Sequence, residues 1–421
     1  MSILLKNTTY INWQSFDFTE ADILVKEGVN GKTELFYPGE ADIKTDVVID
    51  CYGKFVTKSL ANGHHHVYSA LARGMPAPTK TPTNFHEKLK YVWWNMDKAL
   101  DKDMIEACAL STALDCAKNG VTFVIDHHAS PFAINGSLDI IAKAFDQVGI
   151  SHLLCYEISD RDGNKVAEKG LEETAQYLSK NQGLVGLHAS FTVGDETMRK
   201  AAEIVNKYNS GIHIHTAEDG IDQEVCQDKY ETRVIKRLQS FGFLERSKSI
   251  LAHCIHINEE ERKILKNAKC TIVQNAESNL NNAVGFFSSK GLGENIMLGT
   301  DGMHSNMIRS AQAAYFNGIG MEKVTPQQIY SRLRNVHHYL NKNNFVGDGE
   351  NNLMVLDYPS PTEMNKENFL GHLFYGIESK NIQHVISNGK LIVKDRQIQA
   401  VDEEEILILA KEQANRLWSK L

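Results

Sequence analysis

The feature that most constrains this sequence is a polar residue, often histidine or an acid, at the end of almost every β-rich run in its middle part. These runs alternate with stretches of helical periodicity, which is typical of βα units around a parallel sheet. Eight such units predict a closed (β/α)8 barrel of the TIM type, in the α/β class. The runs end near Gly63 and lie at Val121–Asp126, Ile150–Glu157, Leu184–His188, Gly211–His215, Ser249–His253, Cys270–Asn275 and Ile296–Asp301.

The polar strand ends also predict where the chemistry lies. Buried parallel strands are normally near-continuous runs of Val, Ile and Leu, and in a (β/α)8 barrel the carboxyl ends of the strands build the active site. One polar strand terminus is common, but polar groups at nearly every terminus predict convergence on a single site. These residues are His64, His66, Asp126, Glu157, His188, His213, His215, His253, Asn275 and Asp301.

The two ends of the chain differ from its middle, because short alternating runs there are separated by turn residues. Such runs occur before about Phe55 and again over Leu353–Asp357 and His384–Asp395. We therefore predict a small β-sandwich domain built from both termini, residues 1–55 and 352–421, which ends in a helix. Residues 56–351 are predicted to form the barrel.

Charge and composition exclude several partners. Lys and Arg number 45 against 53 Asp and Glu, a formal net charge of −8 without a long basic run, so we expect no nucleic acid or acidic membrane as partner. No apolar run reaches the roughly 20 residues that span a bilayer, and Met1–Tyr10 lacks a signal-peptide pattern. Seven cysteines without a C-x-x-C pair indicate reduced thiols, so we expect a cytoplasmic protein.

The sharpest local motif is His64-His65-His66 at the end of the first barrel run. In a strand, positions 64 and 66 share a face, so both imidazoles can reach one metal while His65 points away. The motif alone is weak, because surface histidines produce it as well.

Three later strand ends strengthen the metal interpretation. His213 and His215 again share a face, and Glu218 follows His215 by three positions. His253 and Asp301 end two further runs. Histidines with a carboxylate form a ligand set that suits zinc or non-haem iron and leaves one position for water.

These four segments, in this order, resemble the amidohydrolase superfamily, in particular its hydrolytic deaminase and chlorohydrolase (ATZ/TRZ-like) branch. The likeness extends towards the SsnA-type aminohydrolases associated with selenium metabolism and covers nearly the whole chain. A Pro-Gly usually precedes the first ligand strand in that family, whereas Lys58-Ser59 stands here. The stretches that carry the likeness are Tyr68–Gly74, Trp93-Trp94 with Asp97, Asp126–Pro131, Phe191–Val193, Asn275–Asn282, Leu298–Gly302 and Asn388–Gln397.

The resemblance implies one divalent metal ion, zinc in the first place and iron as the alternative. Glu218 would be the proton shuttle, and His253 would hold the water on the metal. With Asp301, these two form the implied catalytic set. The implied metal ligands are His64, His66, His215 and Asp301.

The chemistry of these groups agrees with the implied activity. A divalent metal can lower the pKa of bound water from 15.7 to about 7, and the resulting hydroxide can attack an amidine-like ring carbon. We predict an aminohydrolase that releases ammonia from a small nitrogen heterocycle of the purine, pterin or pyrimidine kind. The alternatives are ring opening of a cyclic amide, a chlorohydrolase reaction, and a catalytically silent barrel that binds metal and ligand.

Four residues are candidates for contacting the small-molecule substrate: His188, Trp93, Arg73 and Asn279. The competing interpretations are a structural hydrogen bond for His188, core packing for Trp93 and a surface ion pair for Arg73. We also expect a homo-oligomer, a dimer or larger. The sequence leaves open the roles of His65, Asp126, His127, His128, His213 and His304.

Overall fold

The computed structural model describes residues 1–40 and 43–421. Its strands are β1 (Ser2–Ile11), β2 (Phe18–Lys26), β3 (Thr33–Phe36), β4 (Val47–Asp50), β5 (Phe55–Lys58), β6 (Leu60–His65), β7 (Val121–His128), β8 (Ser151–Tyr156), β9 (Val185–Ala189), β10 (Ile212–Thr216), β11 (Ile250–His253), β12 (Thr271–Gln274), β13 (Ile296–Leu298), β14 (Leu353–Leu356), β15 (Ile382–Ser387), β16 (Lys390–Lys394) and β17 (Gln397–Ile398). Its helices are α1 (Phe85–Lys88), α2 (Trp94–Ala99), α3 (Lys102–Lys118), α4 (Ser137–Val148), α5 (Asn164–Leu178), α6 (Asp195–Lys207), α7 (Gly220–Tyr230), α8 (Val234–Ser240), α9 (Glu259–Lys266), α10 (Ala276–Asn282), α11 (Met307–Glu322), α12 (Pro326–Lys342), α13 (Phe369–Tyr375) and α14 (Glu403–Trp418).

The eight strands β6 to β13 form a closed parallel barrel. β6, β7 and β8 pair in that order, and β9 to β13 pair in theirs. Isolated bridges join the two groups, from Ile158 to Leu187 on one side and from His65 to Asp301 on the other. Each predicted run overlaps one of these strands, so the predicted fold class is confirmed.

Barrel closure between β6 and β13 depends on two glycines. A Cβ at Gly63 would lie 2.7 Å from the carbonyl oxygen of Leu298, and one at Gly299 would lie 2.8 Å from the Cβ of His64. Both distances are shorter than carbon contacts normally allow, so only glycine permits this approach of the two backbones. The approach brings the ends of β6 and β13, which carry His64 and Asp301, together.

Strands from both termini form a mixed sheet beside the barrel, as predicted. The order is β17-β16-β15-β14-β5-β1-β2-β3, and β4 pairs with β1 as the ninth strand. Its buried face includes Ile3 and Ile23 from the N-terminal part and Val355 and Ile386 from the C-terminal part. Since neither part can bury this face alone, the composite unit needs both. The domain limits at residues 55, 56, 351 and 352 stay a prediction.

The last helix, α14, returns to the barrel. The indole nitrogen of Trp418 donates to the backbone oxygen of Leu71 at 2.9 Å, close to the segment that follows β6. Within the two described ranges, none of the helices combines the length and the apolar character that crossing a membrane requires.

Lys58, which stands where the resembled family usually has proline, is buried in an ion pair. Its Nζ lies 2.8 Å from Oδ1 of Asp348, and Nδ1 of His337 lies 2.7 Å from Oδ2 of the same carboxylate. Arg334 donates to the backbone oxygen of Ser59 at 2.7 Å. The Lys58-Ser59 pair therefore anchors the start of β6 to α12 and the segment that follows it.

We expect Asp348→Asn to lower the free energy of unfolding by about 3–5 kcal/mol, because it leaves the Lys58 charge buried without its partner. Burial opposes ionisation of Asp348, but His337 and Lys58 lower its pKa. Since the folded pKa lies below the unfolded value, the stabilisation is complete above about pH 4 and is lost as the pH falls further. Urea denaturation measures both effects.

The matched control is Glu34→Gln, which breaks the exposed ion pair between Lys26 and Glu34. Such surface pairs contribute under about 1 kcal/mol. Equal effects of the two substitutions would contradict the importance assigned to burial of the Lys58 pair.

Candidate metal and catalytic site

Four predicted ligand atoms meet at the carboxyl ends of the barrel strands. His64, His66, His215 and Asp301 are buried, and one nitrogen or oxygen of each lies within 4.8 Å of the others. Nε2 of His66 is 3.0 Å from both Oδ1 of Asp301 and Nε2 of His215. Nε2 of His64 is 3.6 Å from the same Asp301 oxygen. The structure thus brings the whole predicted ligand set together.

Hydrogen bonds to the backbone fix the orientation of two of these imidazoles. Nδ1 of His66 donates to the carbonyl oxygen of His127 at 2.6 Å, and Nδ1 of His215 donates to that of His188 at 2.8 Å. In the neutral form of each ring Nδ1 carries the proton, so the Nε2 lone pair faces the centre of the cluster. This is the tautomer that a metal ligand requires.

The third imidazole is held by another histidine. Nδ1 of His64 lies 2.8 Å from Nε2 of His213, which lies two residues before His215 on β10. Both histidines of β10 face the barrel interior at different depths, so His215 reaches the cluster while His213 supports His64. Nε2 of His64 is buried and has no hydrogen-bond partner among the described residues.

The donor set fits a divalent cation. Burial lowers the pKa of His64 to about 3, so this imidazole is neutral and its Nε2 offers a lone pair. Burial also disfavours the charged form of His66, but Asp301 outweighs burial and raises the pKa of His66 to about 9. The centre of the cluster therefore favours a positive charge. Three imidazoles and one carboxylate with room for water match a catalytic zinc or iron site.

Two more groups, Glu218 and His253, adjoin the ligand cluster. Nε2 of His253 lies 3.5 Å from Oε2 of Glu218 and 3.7 Å from Oδ2 of Asp301. Nδ1 of His253 donates to Oδ1 of Asn279 at 2.8 Å, so its Nε2 is left as an acceptor. Burial raises the pKa of Glu218 to about 7, which suits a group that both takes and gives a proton near neutral pH.

The backbone is strained where these side chains turn inward. His253 and Asp301 have φ values of 73° and 56°, and Ala217, which precedes Glu218, has a φ of 45°. Non-glycine residues in this left-handed region cost about 1–3 kcal/mol each and persist only where surrounding contacts hold them. Asp222 supplies one such contact, because its Oδ2 accepts from the backbone nitrogen of Ala217 at 2.8 Å.

A cavity opens above the ligand cluster. Its lining includes Glu218, Asp301 and two of the ligand histidines, His66 and His215. Its aromatic walls can hold a planar ring by stacking and edge contacts. The aromatic lining residues are Tyr68, Phe85, Trp93, Trp94 and Phe191.

The four predicted substrate contacts are placed differently. His188 and Trp93 line the cavity. Asn279 is buried beside His253, outside the cavity lining. Arg73 is exposed in an ion pair with Asp115 at 3.1 Å, the arrangement that was the alternative for this residue. The short helical segment after β6 carries the Arg73 side chain away from the cavity.

The other histidines and acids that the sequence singled out form hydrogen bonds within the barrel. Asp126 accepts from a backbone nitrogen of the segment after β6, and His65 points away from the cluster, as strand alternation predicts. The pairs are Asp126 with Val67 N, His65 with Ser305, His127 with Leu187 O, His128 with Ser130, and His304 with Glu277.

Two residues of the site were missed by the sequence analysis. Ser278 donates to Oδ2 of Asp301 at 2.5 Å, and Asn282 donates to Oε1 of Glu218 at 3.3 Å. The two lie four positions apart on α10 and therefore share a helix face. Their spacing within Asn275–Asn282 was the available signal.

Comparison with known proteins agrees with this geometry. Residues 55–331 match the amidohydrolase family. A relative from Caldanaerobacter subterraneus subsp. tengcongensis, named 5-methylthioadenosine/S-adenosylhomocysteine deaminase, is 26% identical over 99% of this chain and 99% of its own length.

Solved structures show the same fold. An adenosine deaminase from Xanthomonas campestris with bound zinc has a TM-score of 0.84 and 16% identity, and the match covers 99% of this chain and 98% of that one. The atrazine chlorohydrolase TrzN from Arthrobacter aurescens TC1, complexed with zinc, has a TM-score of 0.82 and 16% identity over 98% and 100% of the two chains.

The family match and the buried histidine and aspartate cluster confirm the predicted metal-dependent hydrolase of non-peptide carbon–nitrogen bonds. The matched range includes the barrel strands and all the residues of the ligand cluster. This chain belongs to the amidohydrolase family.

Proposed function

We propose that this enzyme is an aminohydrolase that hydrolyses the bond between a ring carbon and an exocyclic amino group, in a purine or related heterocycle, and releases ammonia. The position of Glu218 carries the proposal. One atom each of Glu218, His253 and Asp301 lies within 4.8 Å of the others. Glu218 stands beside the four-residue ligand cluster and is not part of it, which leaves its carboxylate available for proton transfer.

The proposed metal ligands are His64, His66, His215 and Asp301, with zinc as the metal and iron as the alternative. When bound, the divalent cation would supply a Lewis acid that lowers the pKa of a water molecule from 15.7 to about 7. Ser278 donates to one oxygen of Asp301, and this bond keeps the other oxygen directed at His66.

The protein groups would divide the proton transfers between them. Glu218 takes a proton from the attacking water and delivers it to a ring nitrogen or to the departing amine. His253 offers Nε2 as an acceptor that orients the water, since its Nδ1 proton is held by Asn279. Water adds to the ring carbon, the bond to the amino group breaks, ammonia leaves and a ring carbonyl remains.

The relatives support a purine ring as substrate. One is named for 5-methylthioadenosine and S-adenosylhomocysteine, and one solved structure is named for adenosine. Trp93, Trp94 and Phe191 line the cavity and can pack against such a ring. Likeness to the SsnA type, a homo-oligomer and a cytoplasmic location also stay predictions of this proposal.

Ammonia release, measured together with metal content, tests the proposal. Purified protein with one metal per chain should release ammonia from at least one member of a panel of aminopurines, their nucleosides, pterins and aminopyrimidines. Hydrolysis without ammonia would favour ring opening or dehalogenation. Protein that binds ring and metal without turnover would contradict the proposal and favour a binding function.

Asn279 gives a sharper prediction about positioning. Asn279→Ala removes the acceptor that holds Nδ1 of His253, so kcat should fall by about 10–100-fold while one metal per chain is retained. Asn279→Asp keeps an oxygen at this position and should restore most of the activity. Equal losses in both variants would show that Asn279 serves packing alone. Steady-state kinetics and elemental analysis provide the two measurements.

A further inference from the structure

One wall of the cavity carries a buried carboxylate that the proposed chemistry does not use. Glu157 follows β8, lines the cavity together with His188, and has a side chain that is 2% exposed. Its Oε2 lies 3.3 Å from Nδ1 of His127, and its Oε1 lies 3.6 Å from a guanidinium nitrogen of Arg161. Both distances exceed the usual 2.7–3.2 Å range of hydrogen bonds. The carboxylate can therefore still accept strong hydrogen bonds.

The nearest cation is committed elsewhere. The guanidinium of Arg161 forms an ion pair with Asp97 and a second one, at 3.2 Å, with Asp162. Lys98 pairs with the other oxygen of Asp162 at 2.7 Å. Arg161 and Lys98 thus face three carboxylates, and Glu157 is the carboxylate that lies farthest from a cation. Its ion-pair contacts with His127 and Arg161 are both longer than the closest contacts of Asp97 and Asp162.

His188 adds a second acceptor to this wall. Its Nδ1 lies 2.6 Å from the hydroxyl of Thr192, and that hydroxyl donates to the backbone oxygen of Ala189 at 3.2 Å. The Thr192 hydroxyl has one proton, and it donates that proton to the backbone oxygen of Ala189. Its oxygen therefore accepts from Nδ1 of His188, which leaves the lone pair of His188 on Nε2.

The same wall has one unused donor. The indole N–H of Trp94 is buried and has no partner among the described residues. The Trp94 ring lines the cavity, with its centroid 6.0 Å from that of His188. A carbonyl oxygen of a ring bound within hydrogen-bond distance of this nitrogen would satisfy the N–H.

We infer that Glu157, His188 and Trp94 select a substrate ring with N–H donors beside a carbonyl, as in 2-amino-6-oxopurines, 2-amino-4-oxopteridines and 2-amino-4-oxopyrimidines. The inference rests on the proposed function and narrows its substrate. The six-membered ring of adenine presents only acceptor nitrogens, N1 and N3, so Glu157 and His188 would face that ring without an N–H between them. A site built to bind an N–H rejects analogues that lack it, because its buried polar groups are then left unpaired.

The test compares matched substrate pairs in the wild type and in Glu157→Gln. Guanosine with adenosine, and 2-amino-4-oxopyrimidine with 2-aminopyrimidine, differ in whether the ring carries an N–H. We expect Glu157→Gln to lower kcat/KM for the amino-oxo members by about 100-fold and to change that of their partners by less than about 3-fold. Because kcat/KM for each substrate is compared between the wild type and the variant, differences in intrinsic reactivity between the rings cancel. Glu168→Gln, which removes an exposed acid on α5, is the control.

A second variant and a binding measurement keep the two proposals separable. Trp94→Phe keeps the aromatic ring but removes the N–H, so we expect a loss confined to the oxo-substituted members. Calorimetric binding of the same rings to metal-loaded protein that also carries Glu218→Gln, a change expected to keep the metal and remove most turnover, reports recognition without turnover. If the variants bind only the amino-oxo rings more weakly and no ring releases ammonia, the inference is supported and the proposed release of ammonia is overturned.

Two results would overturn the inference. Ammonia release from all rings with the same preference in the wild type and both variants would leave the aminohydrolase proposal intact and remove Glu157 from recognition. If the wild type binds and turns over adenosine better than guanosine, the role of Glu157 in recognition is also removed and the aminohydrolase proposal stands. This result does not depend on whether Glu157→Gln folds.

Discussion

Replacing Glu218 with glutamine should lower kcat by about 10²–10⁴-fold while the protein keeps one metal per chain. Glutamine has nearly the same size and retains a carbonyl oxygen towards Asn282, but it cannot take a proton from water and pass it on. The ligand cluster of three histidines and Asp301 does not include Glu218, so metal content should be unchanged.

Glu277→Gln is the matched control for this variant. Glu277 also lies on the carboxyl side of the barrel, but it pairs with His304 and Arg309 outside the cavity lining. Its amide variant should keep kcat within about threefold, as substitutions remote from the reacting atoms usually have small effects. Full activity of Glu218→Gln would remove the proton-shuttle role, and loss of its metal would make Glu218 a ligand instead.

Much of the barrel could be predicted because its signal is local. Each buried parallel strand is a short apolar run, and each run ends in a polar residue at the same edge of the barrel. Strand alternation alone separates His64 and His66 from His65, which bonds to Ser305 on the other side of the strand. The fold class and the ligand cluster follow from these short patterns.

Residues on helices and connecting segments were harder to place, because their positions depend on packing between distant parts of the chain. Asn279 and Ser278 are neighbours in sequence, yet α10 directs one at His253 and the other at Asp301. Arg73 follows the motif by only a few residues and still lies in a surface ion pair. No spacing rule distinguishes a side chain that enters the cavity from one that leaves it.

The role of Lys58 could not be predicted for the same reason. Its partner Asp348 is 290 residues away in sequence, and only the fold brings the two together. From the sequence, Lys58-Ser59 was a departure from a family pattern; in the structure it is an alternative way to anchor the first barrel strand.

The second large effect is expected when a central ligand is removed. Nε2 of His66 lies 3.0 Å from both Asp301 and His215, so His66→Ala removes the nitrogen that the other donors surround. A metal that binds only the folded protein at about 1,000 times its Kd adds about 4 kcal/mol to stability. We expect wild-type protein to lose this gain and its activity in a chelator and to recover both with added zinc. His66→Ala should show no metal, no activity and no response to the chelator.

His65→Gln separates loss of a ligand from loss of a buried histidine. His65 is the neighbour of His66, is 4% exposed, and bonds to Ser305 on the opposite side of the strand. Its replacement should lower stability by about 1–3 kcal/mol, the cost of disturbing a buried hydrogen bond, and leave one metal per chain. Elemental analysis and thermal unfolding with and without chelator measure both variants. If His66→Ala instead retained its metal and its chelator-sensitive stability, the cation would be bound elsewhere. The convergence of the strand ends would then have to be explained without a metal.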